Sequence, residues 1–108
     1  MTAKHPMRPS TLVIMGKTYA VTYHAKSCDV DPDGASSMFG HTDVREKSIR
    51  IHDCADPVER FDSLLHEVLH VVSWEMRGVL DLDENHHDLA RLAATLADTL
   101  IRNGMVTP

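Results

Sequence analysis

Residues 56–70 read DPVERFDSLLHEVLH and carry the strongest structural signal in the chain. Asp56 is a residue type that caps helix N-termini, Pro57 suits the first helical position, and Glu59 stands where a capping-box glutamate would. Together these residues predict a helix that begins at Pro57 and continues to about Arg77.

A second helix is predicted after a short link, from Glu84 to Arg102, with Asp83 as a candidate cap. Its small and apolar residues recur at helical spacing and predict one buried stripe, made of Leu89, Leu92, Ala93, Leu96, Ala97 and Leu100. Because the connection at residues 78–83 is short, the two helices are expected to be antiparallel or steeply crossed neighbours.

Upstream of the first helix, short runs of β-forming residues alternate with turn formers. Four strands are predicted, at residues 11–15, 18–24, 37–42 and 48–52. Residues 1–10 contain two prolines and no periodicity, which indicates a flexible leader. We therefore predict one α+β domain at residues 11–104, with a small antiparallel or mixed sheet of about four strands followed by two long helices.

The composition limits the classes of partner. The 108 residues are 43% hydrophobic and 25% charged, and the formal net charge is -5. Lysines and arginines are scattered, which argues against binding to a nucleic-acid backbone. The first apolar run, residues 12–15, is too short for a signal-peptide core or a membrane span. These features predict a cytoplasmic protein with neither a nucleic-acid nor a membrane partner, and with Cys28 and Cys54 as free thiols.

The predicted first helix contains HEVLH at positions 66–70, an H-E-x-x-H motif. Residues four apart on a helix share a face, so the imidazoles of His66 and His70 can reach one tetrahedral metal ion. Glu67 is rotated by about 100° from His66, close enough to contact a metal-bound water without becoming a ligand. The motif therefore predicts a Zn2+ site with Glu67 as the catalytic base.

Zinc in hydrolases usually takes three protein ligands and leaves one position open, so the second helix is expected to supply the third ligand. Four residues there are chemically able to do so: Glu84, His86, His87 and Asp88. His86 lies three residues before Leu89 and continues the predicted buried stripe toward the first helix. His87 points to a solvent-like face. His86 is therefore the favoured third ligand, with Glu84 and His87 as alternatives.

The order of a small sheet, an H-E-x-x-H helix and a second helix with the third ligand resembles the zincin metallopeptidases. More narrowly, residues 11–104 resemble small H-E-x-x-H proteins encoded by phages and prophages, distantly similar to the ImmA/IrrE family. The most specific stretches are LLHEVLH at 64–70 and the Leu-Ala pair at 92–93. Those relatives usually present a glutamate in an E-x-x-apolar-x-x-Leu-Ala pattern. Here His86 stands at the matching position, which implies either a three-histidine site or a third ligand from Glu84.

The resemblance implies a zinc metallopeptidase, located in the host cytoplasm if the chain is phage-encoded. In zincins an extended peptide lies antiparallel to the edge strand of the sheet. The strand from Ser37 to Thr42 is the candidate edge, because Gly40 and the preceding serines make it short. The residue that would stabilise an oxyanion stays open among His41, His52, Tyr23, His87 and Arg91.

Two other functions stay open at this point. A non-catalytic module stapled by zinc, binding a host or virion partner, would keep His66 and His70 but have no use for Glu67. A zinc hydrolase could also act on a substrate other than a peptide, because the same activated water attacks other centres.

Overall fold

A computed structural model gives the structure of residues 8–33, 38–77 and 86–108. The elements in chain order are β1 (Thr11–Ile14), β2 (Lys17–His24), a 3-10 turn (Ser27–Asp29), β3 (Gly40–Asp43), β4 (Ser48–His52), α1 (Pro57–Glu75) and α2 (His86–Arg102). Four strands precede two helices, so the predicted α+β class is confirmed.

The strands form one mixed sheet in the order β1-β2-β4-β3. β1 and β2 form an antiparallel hairpin whose turn residues, Met15 and Gly16, have φ of 50° and 82°. Positive φ at both positions is what a type I′ turn requires, and its twist matches that of the strands. β2 pairs in parallel with β4, and β3 pairs antiparallel with β4. β3 therefore lies at one end of the sheet that the described residues form.

β3 is the strand predicted at the edge, but its limits differ from the prediction. It begins at Gly40 and extends to Asp43, one residue beyond the predicted end, while residue 37 lies outside the described part of the chain. Asp43 belongs to the strand because it pairs with Ser48. Its carboxylate also accepts hydrogen bonds from two amides of the β3–β4 turn, at 2.9 and 3.0 Å, which closes the turn after the last strand pair.

α1 covers one face of the sheet. The alternation of β2 and β4 directs apolar side chains to that face, where they form a core with the helix: Ile14, Tyr19, Val21, Ile49, Ile51, Leu64 and Val71. α1 also contacts β3 and α2. The core thereby sets the H-E-x-x-H segment beside the edge strand.

α1 begins at the predicted Pro57, and both helices end at or near their predicted limits. The Asp56 carboxylate caps α1 by accepting a hydrogen bond from the Val58 amide at 2.9 Å. α1 ends two residues before the predicted Arg77, because Met76 has φ −104° and ψ 18° and leaves the helical path. The predicted end of α2 is confirmed, whereas its predicted start at Glu84 and its cap lie outside the described residues.

The buried stripe of α2 is narrower than predicted. Leu89, Ala93 and Ala97 are buried against the rest of the domain. The prediction was wrong for Leu92 and Leu96, which are 40% and 37% exposed. Two alanines one turn apart allow a helix to approach its neighbour closely along a narrow line, and the leucines beside that line stay at the surface.

The N-terminal segment contacts the domain from Arg8 onward. The Arg8 guanidinium pairs with the Asp53 carboxylate at 2.6 Å, and the Tyr23 hydroxyl donates to the Pro9 carbonyl at 2.9 Å. The leader was predicted to extend to residue 10. Residues 8–10 thus contact the domain, while the rest of the predicted leader lies outside the described residues.

Cys28 is exposed and Cys54 half-buried, and both are free thiols. In the described part of the chain, neither helix combines the length and the apolar character that crossing a bilayer requires.

Candidate metal centre and groove

Three histidines from two helices converge beside the edge strand. α1 presents His66 and His70 one turn apart, and α2 presents His86 at its first residue. Nε2 of His66 lies 3.1 Å from Nε2 of His86 and 3.2 Å from Nε2 of His70. One ligand atom from each histidine lies within 4.8 Å of the other two. The structure therefore brings together the three residues that the sequence proposed as metal ligands.

Hydrogen bonding alone does not account for this convergence. A ring nitrogen carries either one proton or one lone pair, so Nε2 of His66 can fully donate or accept only once. Two other ring nitrogens lie at almost the same distance from it. A cation between them could receive a lone pair from all three imidazoles, so the three rings together could hold a metal ion.

The spacing also fits the size of a zinc site. Two nitrogens bound to one tetrahedral zinc at about 2.05 Å are about 3.3 Å apart, and the two short separations here are 3.1 and 3.2 Å. Among the described residues three histidines offer ligand atoms, and a zinc ion held by these three alone would keep one of its four positions open, as in catalytic zinc sites.

The protonation state of His66 also suits metal binding. Burial, together with the neighbouring imidazoles of His70 and His86, lowers the pKa of His66 to about 4. His66 is therefore neutral at physiological pH. Neutral imidazole is the form that binds metal ions.

Glu67 is buried in the same groove, with 6% of its surface exposed. Its Oε1 accepts a hydrogen bond from the Thr42 hydroxyl of β3 at 2.8 Å. Burial raises the pKa of the Glu67 carboxyl, although the Thr42 hydrogen bond and the nearby His70 and His41 act in the opposite direction. A carboxylate with a raised pKa is a better proton acceptor near neutral pH, as a general base needs to be.

Gly40 makes room for this carboxylate. A Cβ atom on Gly40 would lie 2.8 Å from both Cγ and Oε2 of Glu67, and 3.0 Å from its Cδ. Separations this short force one of the two groups to move. The edge strand therefore positions Glu67 in two ways, by the Thr42 hydroxyl and by the missing side chain at Gly40.

The histidine cluster lies in a groove between β3 and α1, made of two adjoining cavities of about 410 and 450 Å³. Both cavities are lined by Met38, Gly40, His66, Glu67 and His86. The first extends toward the C-terminal end of β3 and adds His41, Thr42, Val44, His70 and Trp74. The second extends toward the N-terminal end of β3 and adds Phe39, Asp62 and Ser63. An extended ligand along β3 would pass the histidines near its middle.

The alternatives for the third ligand are placed differently. His87 is exposed and lines neither cavity. Glu84 lies outside the described residues. His86 is thus the residue of α2 that reaches the cluster among those the structure describes.

Among the described residues, His41 is the one oxyanion candidate that lines the groove. The Tyr23 hydroxyl donates to a backbone carbonyl elsewhere, and the His52 ring lies 6.2 Å from the Phe39 ring. Arg91 is exposed on α2 and borders neither cavity.

Sequence reasoning did not identify Thr42 and Gly40 as residues of the site. Thr42 lies 25 positions before Glu67, and the contact between them joins a strand to a helix. The one available signal was strand alternation, which places Gly40 and Thr42 on the same face. Which helix residue that face meets depends on packing, so the pattern alone does not reveal it.

Comparison of the chain with protein-family models, with curated proteins and with solved structures finds no match.

Proposed function

We propose that this protein is a zinc-dependent metallopeptidase with the minimal architecture of a zincin. The observation that carries the proposal is that three imidazole nitrogens and one buried carboxylate, that of Glu67, line a single groove beside an edge strand. Imidazole also suits copper, nickel and iron. Zinc is proposed because a set of three histidines is typical of catalytic zinc, and because two of the three nitrogen separations match those around a tetrahedral zinc ion.

A zinc ion in such a site would lower the pKa of a water molecule from about 16 toward about 7. Glu67 is the proposed general base, which takes a proton as water attacks the peptide carbonyl and passes it to the leaving amine. The Thr42 hydroxyl holds Oε1 of Glu67, which leaves Oε2 for the proton transfer. His41 lines the same cavity and is the proposed donor to the oxyanion.

The proposed substrate is an extended peptide that adds to β3. The Phe39 carbonyl accepts from the His52 amide at 2.8 Å, and antiparallel bonding alternates along a strand. The backbone groups of Gly40 and Thr42 therefore point away from β4, toward the free edge. A peptide bound antiparallel there would form main-chain hydrogen bonds and lie across the histidine cluster. A cytoplasmic location, without nucleic-acid or membrane partners, stays a prediction.

The first experiment measures metal content by elemental mass spectrometry, on protein purified without a histidine tag and dialysed against metal-free buffer. We expect close to one zinc per chain. The His86→Ala variant should lose this zinc, whereas His87→Ala, which removes the neighbouring exposed imidazole, should retain it. Equal zinc in both variants would contradict the proposed ligand set.

The second experiment compares the wild type with Glu67→Gln on a quenched-fluorescence peptide library. Removal of a general base costs about 10²- to 10⁴-fold in rate, so we expect that loss with zinc content and circular dichroism unchanged. Zinc binding without peptide hydrolysis would instead support the zinc-stapled module or a hydrolase of other substrates. In a zinc-stapled module Glu67→Gln should leave partner binding unchanged, whereas in a hydrolase of any substrate it should lower the rate of hydrolysis.

A further inference from the structure

The second cavity of the groove contains a carboxylate that the proposed reaction does not use. Asp62 lies one turn before His66 on α1, so the two share the face of the helix that borders the groove. The same cavity is lined by Phe39, Ser63 and His86. Asp62 is thus a neighbour of the candidate metal centre on the side of the N-terminal end of β3.

Nothing in the described part of the chain neutralises this carboxylate. None of those residues donates a hydrogen bond to Asp62 or forms an ion pair with it, and no lysine or arginine among them lines either cavity of the groove. Arg102 lines a separate cavity together with Asp62, but its guanidinium pairs with Asp98 at 2.7 Å. Burial raises the pKa of Asp62, and the nearby carboxylate of Glu59 raises it further. A half-buried acidic group without a cation lowers the stability of the fold, and a cationic ligand would relieve that cost.

Phe39 supplies the apolar part of the same cavity. Its side chain is 62% exposed, although aromatic residues usually bury most of their surface. A ring face attracts a cation and also packs against the methylene groups of a lysine or arginine side chain. Asp62 and Phe39 together therefore offer both halves of a site for a long basic side chain.

We propose that the pocket formed by Phe39, Asp62 and Ser63 binds a lysine or arginine side chain of the substrate, next to the bond that is cleaved. The inference rests on the proposed peptidase function and names its substrate class. A peptide antiparallel to β3 runs from the Asp43 end toward the Gly40 end. Residues after the cleaved bond therefore lie toward Phe39, which places the basic residue on the carboxyl side of the cleavage point.

The test measures peptide binding, which does not require hydrolysis. The probes are fluorescent, end-blocked hexapeptides that differ at one central position, occupied by lysine, methionine or glutamate. Their affinities for the zinc-loaded Glu67→Gln chain are measured by fluorescence anisotropy. Methionine matches lysine in length without the charge. We expect the lysine peptide to bind about tenfold more tightly than the methionine peptide, the worth of one charge-assisted contact, and the glutamate peptide to bind least.

Variants of Asp62 decide whether this pocket is responsible. Asp62→Asn should bring the lysine and methionine peptides within about twofold of each other, and Asp62→Lys should reverse the order in favour of glutamate. Glu46→Gln is the matched control, because it removes one exposed carboxylate from the β3–β4 turn at the far end of β3. This control should keep the tenfold preference.

Equal affinities for the lysine and methionine peptides would overturn the inference, as would a lysine preference that survives Asp62→Asn. Cleavage of a mixed peptide library by the wild type separates this result from the proposed function. Cleavage without enrichment of basic residues after the cleaved bond would support the peptidase function and contradict the proposed basic-residue pocket. A preference for the lysine peptide in binding, without cleavage of any peptide, would support the pocket and contradict the peptidase function.

Discussion

At the scale of single residues, Glu67 connects the helix that carries the H-E-x-x-H motif to the edge strand. The Glu67 carboxylate is buried and accepts a hydrogen bond from the Thr42 hydroxyl at 2.8 Å. It also occupies the space that a side chain on Gly40 would fill. A general base is effective only within a narrow range of positions relative to the reacting atoms. The strand proposed to receive the substrate therefore also positions the proposed base.

Gly40→Ala should displace Glu67. The added Cβ would lie 2.8 Å from Cγ and Oε2, so the carboxylate has to move or the strand has to shift. We expect the free energy of unfolding to fall by about 1–3 kcal/mol, as for other overpacked sites. Any hydrolysis should fall by about 100-fold, since a displacement near 1 Å is enough for that.

Urea denaturation and a peptide-cleavage assay check this prediction, with zinc content as the control for an intact histidine cluster. Thr42→Ser, which keeps a hydroxyl beside Glu67, is the mild comparison and should retain most of the activity. Full activity in Gly40→Ala would show that Glu67 tolerates a different position and is not held by the strand.

At the scale of elements, the junction between β4 and α1 is held by ion pairs. Asp53 follows β4, and its carboxylate lies 2.6 Å from Arg8 before β1 and 3.5 Å from Arg60 in α1. The Arg8 guanidinium also lies 4.5 Å above the Tyr23 ring. These contacts join the chain before the first strand to the start of the helix that carries the H-E-x-x-H motif.

The junction predicts a pH dependence of stability. The hydrogen bond from Arg8 lowers the pKa of Asp53, against a smaller opposing effect of burial. The folded state therefore holds the carboxylate ionised below the pH at which the unfolded chain takes up a proton, near pH 3.9. The stabilisation is complete above that pH and is lost as the pH falls through the pKa of the folded state.

Asp53→Asn should lower the free energy of unfolding by at most about 1 kcal/mol at pH 7, because the pair is partly exposed to solvent. The difference from the wild type should shrink in high salt and vanish at low pH. Urea denaturation between pH 7 and pH 3 measures it, with Glu46→Gln as an exposed-carboxylate control. A difference at pH 3 as large as the difference at pH 7 would contradict an electrostatic origin.

At the scale of the whole molecule, the histidine cluster joins two helices that are separated in the chain. His66 and His70 belong to α1 and His86 to α2, so the proposed zinc ion would link the two helices directly. A ligand that binds only the folded state stabilises it in proportion to the logarithm of its concentration. A domain of 108 residues buries a modest core, so this contribution is a large part of its stability.

Removal of the metal should therefore lower the melting temperature. Free zinc at about 1,000 times its Kd adds about 4 kcal/mol, which corresponds to a shift of at least about 10 °C for a domain of this size. Differential scanning fluorimetry with zinc and with a chelator measures the shift. His86→Ala should abolish the response and His87→Ala should keep it. A zinc response unchanged in His86→Ala would mean that α2 contributes no ligand.

The sequence by itself determined the features that depend on neighbours along the chain. The capping residues before Pro57, the helical period of both helices, the strand alternation and the spacing of His66 and His70 are all local, because helix and strand geometry repeat within a few residues. These features were sufficient for the α+β class and for the order of four strands and two helices, which the structure confirms.

Only the tertiary structure decided which distant residues meet. The parallel pairing of β2 with β4, the surface position of Leu92 and Leu96, and the contact of Thr42 with Glu67 each depend on how the elements pack. The approach of His86 to His66 depends on packing as well. The helical spacing of His86 predicted that it faces α1, but only the packing of α2 on α1 brings the Nε2 atoms of the two histidines to 3.1 Å. Such contacts join residues about 20 or more positions apart, and no local repeat specifies them because they follow from the shape of the assembled core.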